Sequence, residues 1–144
     1  MTLRAGHTVA AACAMWLTAC ASGGTTVEMH DMADLRWSDT VHISVDNDDT
    51  LSMRDLSVVV RYNRQLKTDS VTVDITTMTP DSLHLEERFT LHIPPTNEVH
   101  AVERIFPYRR NARLLRSGIY QFTLSSQEEI VGVESVGLMI DTAE

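Results

Sequence analysis

Apolar and polar residues alternate with a period of two along most of this chain, and this pattern constrains the fold more than any other feature. A strand with one buried face has this period, whereas an amphipathic helix repeats every 3.6 residues. Clustered turn residues, such as Asp46-Asn47-Asp48-Asp49 and Thr79-Pro80-Asp81, separate the alternating segments. The clearest inward positions are Val41, Ile43, Val45, Leu56, Val58, Val60, Tyr62, Val71, Val73, Ile75, Tyr120, Phe122 and Leu124.

Seven or eight such segments, with no long helical period, predict an all-β fold. The expected architecture is an antiparallel β-sandwich of jelly-roll or immunoglobulin-like type. The sequence predicts a helical turn or a loop over residues 109–116. We expect the strand that carries Tyr120, Phe122 and Leu124 to pack with Val136, Leu138 and Ile140, if the last two strands pair as a late hairpin.

The N-terminus is typical of a bacterial lipoprotein signal peptide. Arg4 precedes a short apolar run over residues 8–17, and the run ends in Leu17-Thr18-Ala19-Cys20. Small side chains at Thr18 and Ala19 suit the peptidase pocket, and only a thiol can form the thioether to diacylglycerol. The alternative is an ordinary secretory signal with a chance cysteine. A membrane span is not expected, because the apolar run is shorter than the ~20 residues needed to cross a bilayer. This lipobox predicts acylation at Cys20.

The lipobox also fixes the expected domain organisation. Residues 1–19 are the signal peptide, residues 20–36 hold the lipidated cysteine and a flexible tether, and residues 37–144 form the sandwich. Tether residues such as Ser22 and Gly23 bury too little surface to order themselves. The anchor predicts a location in the cell envelope, with the outer membrane favoured over the inner membrane.

Cleavage leaves an acidic chain without a disulfide. Removal of residues 1–19 takes away Cys13, Arg4 and no acid, so the formal charge changes from −8 to −9. The remaining cysteine is the acylated Cys20, so no disulfide can form within the monomer. A surface this acidic does not attract nucleic acid, and we expect no nucleic-acid partner.

The sequence carries no convincing catalytic or metal-binding motif. A calcium loop starting at Asp46 would need a glycine and a glutamate at positions occupied by Leu51 and Ser57. Gly132 is one residue too far from Ser135 for a nucleophile elbow. The glutamates of the adjacent pairs diverge on a strand, so we interpret them as solvated edges: Glu86, Glu87, Glu128 and Glu129. The histidines lack zinc-site spacing. We therefore expect no enzyme activity, cofactor, metal or small-molecule substrate.

One charged feature is unusual in an acidic chain. No acidic residue occurs from 104 to 127, and this basic segment carries Arg104, Arg109, Arg110, Arg113 and Arg116. One interpretation is a solvated loop that pairs with the acidic turns. The other is a docking patch for an acidic partner, because a planar guanidinium group binds carboxylate or phosphate through two hydrogen bonds.

The C-terminal blocks Ser117-Gly118-Ile119-Tyr120-Gln121-Phe122 and Gly132-Val133-Glu134-Ser135-Val136-Gly137-Leu138-Met139-Ile140 resemble the end of the GldH family of gliding-motility lipoproteins. Trp37-Ser38-Asp39-Thr40-Val41 and Val60-Arg61-Tyr62-Asn63 are similar to earlier segments of that family. The resemblance implies an envelope lipoprotein of Bacteroidota, associated with surface gliding and with type IX secretion. It assigns no catalytic residues.

Three functions remain open from the sequence. The favoured hypothesis is a non-catalytic component that is held at the membrane by acylated Cys20 and binds other envelope proteins of a motility or secretion complex. The alternative is a surface carbohydrate-binding lipoprotein. Sugar sites usually need exposed aromatic rings, and the mature chain has few: Trp37 with three tyrosines and three phenylalanines. An enzyme is the least supported of the three.

Overall fold

A computed structural model describes residues 24–143 of the chain. The signal peptide, the lipobox and Cys20 lie outside the described residues, and so does the first part of the tether. Between residues 24 and 143, no helix has the length and apolar character needed to cross a bilayer.

Nearly all regular structure in this range is strand. A single 3₁₀ turn, Ala33–Leu35, lies between the first two strands. In chain order the strands are β1 (Thr26–Asp31), β2 (Arg36–Trp37), β3 (Val41–Asn47), β4 (Met53–Tyr62), β5 (Ser70–Met78), β6 (His84–His92), β7 (Val102–Arg113), β8 (Gly118–Ser126), β9 (Ile130–Val131) and β10 (Val133–Thr142).

Eight of these strands form two four-stranded antiparallel sheets. Sheet I has the order β1-β10-β4-β7, and sheet II has the order β3-β8-β5-β6. The short strands β2 and β9 pair with each other. The strand pairing is nested, as in a long hairpin folded over on itself: β1 pairs with β10, β3 with β8, β4 with β7 and β5 with β6. This is the jelly-roll arrangement. The predicted all-β sandwich is confirmed, and the strand order distinguishes the jelly roll from the immunoglobulin order.

The core lies between the inner faces of the two sheets. The predicted inward residues of β4, β5 and β8 are buried in one cluster, as the period-two pattern indicated. Trp37 is fully buried and belongs to the same cluster. Burial of these large apolar side chains is the main favourable term for folding.

The predicted late hairpin is wrong. Strand β8 pairs with β3 and β5 in sheet II, whereas β10 pairs with β1 and β4 in sheet I. Phe122 and Leu138 therefore belong to opposite sheets and share the core between them. Alternation shows which side of a strand is buried, but it does not show which strand is its neighbour.

The predicted helical turn or loop over residues 109–116 is also wrong for most of its length, because β7 continues to Arg113. The register between β4 and β7 shifts on both sides of Leu56. Asn111 has φ of 52° and donates its backbone N–H to Asp55 Oδ1 at 2.8 Å. These irregularities are β-bulges, and they hide the period of two in the sequence.

The sandwich begins earlier than predicted. Residues 26–31, assigned from the sequence to the tether, form strand β1 at the edge of sheet I. Gly137 of β10 allows this docking: a Cβ at that position would overlap the Glu28 carbonyl oxygen and lie 2.5 Å from Met29 Sδ. Strand β1 is largely exposed, so its residues lack the apolar pattern that would have predicted it.

Candidate functional site

The main candidate site is a groove between β6 and β7, which are edge strands of the two sheets. We call it the β6–β7 groove. Its volume is about 390 Å³, and residues of the β7–β8 loop complete its wall. The floor includes the core side chains Leu56, Tyr120 and Phe122. An apolar floor between two edge strands suits an extended or amphipathic ligand.

Glu87, Tyr108 and Arg109 form a hydrogen-bonded cluster in this groove. The Tyr108 hydroxyl and the Arg109 guanidinium both donate to the Glu87 carboxylate. The hydrogen bonds from Arg109 and then Tyr108 lower the pKa of Glu87. Burial, together with the neighbouring carboxylate, raises the pKa of Tyr108 to about 12. Tyr108 is therefore a neutral donor and Glu87 an anion at neutral pH.

Packing positions this cluster. The Tyr108 ring meets Phe89 edge-on, with ring centroids 5.8 Å apart, and Arg109 Cζ lies 5.6 Å from the Tyr108 ring centroid. Arg109 pairs across the sheet with Leu56, whose side chain points into the core. Its position on β7 therefore directs Arg109 to the inner side, towards β6.

Arg116 lies at the other end of the groove, in the loop before β8. Its Nε donates to Asp81 Oδ2 at 3.1 Å, and its backbone N–H donates to the Tyr120 hydroxyl at 3.0 Å. Hydrogen bonds from Thr79, and then from Arg116, lower the pKa of Asp81. The second arginine of the groove is thus held by both its backbone and its side chain.

Arg113 ends β7 and also lines the groove. Among residues 24–143, its side chain forms no hydrogen bond and no ion pair. The charged lining therefore comprises three arginines and two carboxylates, those of Asp81 and Glu87, with one positive charge in excess. On a chain of formal charge −8, this is a locally basic surface.

The other two arginines of the predicted patch lie elsewhere. Arg104 lies nearer the start of β7, where its Nη1 donates to the Glu103 carbonyl oxygen at 3.1 Å. Arg110 is 70% exposed and approaches Asp55 Oδ2 at 3.9 Å. The structure therefore brings Arg109, Arg113 and Arg116 to one groove and separates Arg104 and Arg110 from it.

Exposed leucines flank these arginines. Leu83 is 61% exposed, Leu85 is 53% exposed and Leu115 is 66% exposed, and all three line the groove. Isolated exposed leucines are common on protein surfaces, but a cluster beside charged groups marks a contact site. The groove therefore offers apolar contact area together with cationic hydrogen-bond donors.

Sequence reasoning missed Glu87, which it interpreted as a solvated edge. Glu86 and Glu87 diverge as expected, and Glu86 points outward next to His84. Glu87 instead occupies an inward position, in phase with Phe89 and Leu91 on β6. The period-two pattern contained this signal, and following it through the charged residue would have placed Glu87 between the sheets.

In the part of the chain that the structure describes, no three His, Cys, Asp or Glu side chains lie close enough together to hold a metal ion. Ser135, the serine of the sequence near the elbow motif, is 1% exposed on β10 and lies outside the groove. The groove can accept acidic and apolar groups through its arginines, the Tyr108 hydroxyl and the leucines.

No family model matches the sequence, and no curated protein sequence matches it. Among solved structures, the chain is similar to one described as the structure of infectious bursal disease virus Gt strain. The identity is 12%, the match covers 94% of this chain and 36% of that one, and the TM-score is 0.37. The Gx strain structure gives 11% identity over 82% of this chain, with a TM-score of 0.35. The chain spans about a third of the length of these viral chains.

Proposed function

We propose that this protein is a non-catalytic, lipid-anchored component of the cell envelope that binds an envelope protein through the β6–β7 groove. The observation that carries the proposal is the convergence of Arg109, Arg113 and Arg116 with exposed leucines around an apolar floor. A partner segment that carries carboxylates and apolar side chains complements such a surface.

The charge distribution supports selectivity. The chain as a whole is acidic, so most anionic surfaces are repelled, whereas the groove has one excess positive charge. Arg113 has no partner among the described residues, so an incoming carboxylate meets a guanidinium group that is not already neutralised. Charge complementarity of this kind favours a specific partner over a general anionic surface.

Acylation at Cys20 supplies the second part of the proposal. Cys20 precedes Thr26, the first residue of β1, by six positions. An extended chain of six residues spans at most ~20 Å, so the anchor would keep the domain close to the membrane. Two or more acyl chains are needed for stable anchoring, because one chain binds only marginally.

The aromatic residues of the groove favour a protein partner over a sugar. Tyr120 and Phe122 are buried in the floor, and one side of Tyr108 packs against Phe89. Stacking on a sugar ring needs an exposed aromatic face. The sequence resemblance to gliding-motility lipoproteins supports a partner that belongs to motility or type IX secretion machinery in Bacteroidota.

Arg113→Glu is the sharpest test of the groove, because this side chain has no ion pair within residues 24–143 to lose. We expect the variant to lose co-purification of its partner from cross-linked envelopes, with stability unchanged within ~0.5 kcal/mol. The matched control is Arg64→Glu, an exposed arginine outside the groove. Equal recovery of the partner with both variants would contradict docking in the groove.

The anchor has a separate test. Intact-mass analysis of membrane-extracted protein should show loss of residues 1–19 and a gain of acyl mass. Cys20→Ala should accumulate as uncleaved precursor. A soluble mature protein with a free thiol at Cys20 would contradict the lipoprotein assignment, whatever the result at Arg113.

A further inference from the structure

The outer face of sheet I is apolar at its centre. Because β4 and β10 pair in continuous register from Arg61 to Arg54, alternate residues on these strands share one face. Apart from Ser57 and Gly137, the two central rows of that face carry large apolar residues: Val27, Met29, Val59, Ile105, Pro107 and Met139. Val27 is 50% exposed and Ile105 is 48% exposed on the two edge strands, whereas Val59 is 1% exposed and Ser57 is 5% exposed between them, so the open apolar surface lies along the edges of the sheet.

Charged residues bound this apolar surface at both ends. At one end, Arg61 Nε lies 4.0 Å from Glu103 Oε2. At the other end, Arg110 Nη1 lies 3.9 Å from Asp55 Oδ2. Both distances are at the limit for an ion pair, and both arginines are well exposed, so their guanidinium groups remain free to bind further acceptors. Asp55 and Arg61 lie six residues apart on β4, or ~20 Å.

This arrangement of charge is complementary to itself. Two copies can pack face to face about a two-fold axis that lies in the interface and runs perpendicular to the strands. Each strand then lies over the same strand of the second copy and runs in the opposite direction. Arg61 then faces Asp55 of the second copy, and Glu103 faces Arg110 of the second copy. An axis parallel to the strands instead places β1 over β7, which brings Asp31 to Glu103. Opposite charges meet only in the first arrangement, and an isologous interface of this kind closes as a dimer.

We propose that the outer face of sheet I is a self-association surface, on which a second copy of this chain packs with the strand ends exchanged. A membrane is the poorer occupant, because the rim carries four carboxylates, those of Asp31, Asp55, Glu103 and Asp141, against the two arginines Arg61 and Arg110, and anionic lipid repels this net negative charge. The proposal is independent of the β6–β7 groove.

The size of the face predicts a weak dimer. Four strands span ~19 Å and the four rows span ~20–27 Å, which gives roughly 400–500 Å² per copy. A standard stable interface buries ~800 Å² per partner, so the dimer should be reversible in solution. Confinement to one membrane raises the effective concentration of the copies and favours the contact.

Two differently tagged full-length copies, expressed together and recovered from cross-linked envelopes, test this proposal. Recovery of the second tag through the first is the expected result. Ile105→Asp places a charge on the exposed apolar edge of the face and should reduce this recovery about tenfold or more. Thr90→Asp is the matched control, because Thr90 is exposed on the outer side of the other edge strand, β6.

Exchanging the charges at positions 103 and 110 distinguishes the loss of contact between two copies from structural damage within one copy. Glu103→Arg and Arg110→Glu each create like-charge contacts across the proposed interface and should each reduce recovery about tenfold. In the double variant, opposite charges face each other again between copies, whereas like charges now lie next to Arg61 and Asp55 within each copy. Recovery of the second tag should therefore return to within about threefold of that of the unmodified chain.

Three results would overturn the proposal: no recovery of the second tag, equal loss in Ile105→Asp and Thr90→Asp, or no restoration in the double variant. Loss of vesicle binding with Ile105→Asp, without loss of self-recovery, would assign the face to lipid. Cross-linking of a different protein through Ile105, in place of a second copy, would assign the face to that protein.

Discussion

The two sheets contribute similar inner faces to the core, but their outer faces differ. The outer face of sheet II is polar, with Thr72, Asp74 and Thr76 on β5 beside Arg88 on β6. Arg88 Nε donates to Asp74 Oδ1 at 2.8 Å. The outer face of sheet I has two mostly apolar rows, interrupted by Ser57, between charged ends. Water can form hydrogen bonds with the polar side chains on the outer face of sheet II, whereas the outer face of sheet I leaves apolar side chains exposed.

This difference shows which parts of the sandwich serve the fold and which are available for contact. An antiparallel sheet with one solvated side normally has polar residues on that side, as sheet II does. Exposed apolar residues on the other sheet, and exposed leucines at the β6–β7 edge, contribute little to folding. Substitutions on these two surfaces should therefore weaken binding while leaving the stability of the fold nearly unchanged.

Loss of the shared inner layer should have the largest effect. Phe122 is 1% exposed at the centre of the core, and we expect Phe122→Ala to cost ~3–5 kcal/mol. Gln121→Ala, on the polar outer face of the same strand, should change stability by less than ~0.5 kcal/mol. Thermal melting measures both. A melting temperature unchanged by Phe122→Ala would mean that the inner and outer faces are wrongly assigned.

Gly137→Ala should damage sheet I selectively. The added Cβ would overlap the Glu28 carbonyl oxygen, so β1 must move away from β10. We expect a loss of ~1–3 kcal/mol. Amide hydrogen exchange should accelerate in β1 while β5 and β8 stay protected. Ser44→Ala, on the outer face of sheet II, is the control. Retained protection of β1 would contradict the close approach at Gly137.

Glu87→Gln should have a smaller, pH-dependent effect. Arg109 lowers the pKa of Glu87 from its ordinary 4.5, so the folded chain binds this proton more weakly than the unfolded chain. The carboxylate therefore stabilises the fold above pH 4.5, and this contribution is lost as the pH falls through the lowered pKa. The variant should melt earlier at neutral pH and lose less stability on acidification. Glu86→Gln, on the outer side of the same strand, controls for loss of a carboxylate.

The period of two predicted the inner faces of β4, β5 and β8 because each has one side on the core. It did not predict sheet order, since β8 and β10 have the same pattern whether they pair or lie in opposite sheets. The end of β7, from Arg109 to Arg113, was missed because it belongs to an edge strand with bulges around Asn111, and its charged residues interrupt the alternation. Strand β1 was missed because its residues are mostly exposed.

The candidate site was predicted only in part. Clustering in sequence identified the arginines, but it could not distinguish Arg109, Arg113 and Arg116 from the two that lie elsewhere. Their convergence depends on β6 and β7, which belong to different sheets and meet only through the fold. The leucines at 83 and 85 precede the arginines by more than 20 residues. No local pattern places them in one groove.

Site-specific photo-cross-linking in intact cells tests docking at the β6–β7 groove most directly. A photoreactive residue replaces Leu115, which is 66% exposed in the groove, or Thr90, which is exposed on the polar face of sheet II. We predict a discrete protein adduct from position 115 that disappears when Arg113→Glu is added, and no adduct from position 90. Absence of an adduct at position 115, or equal adducts at both positions, would contradict a partner held in the β6–β7 groove.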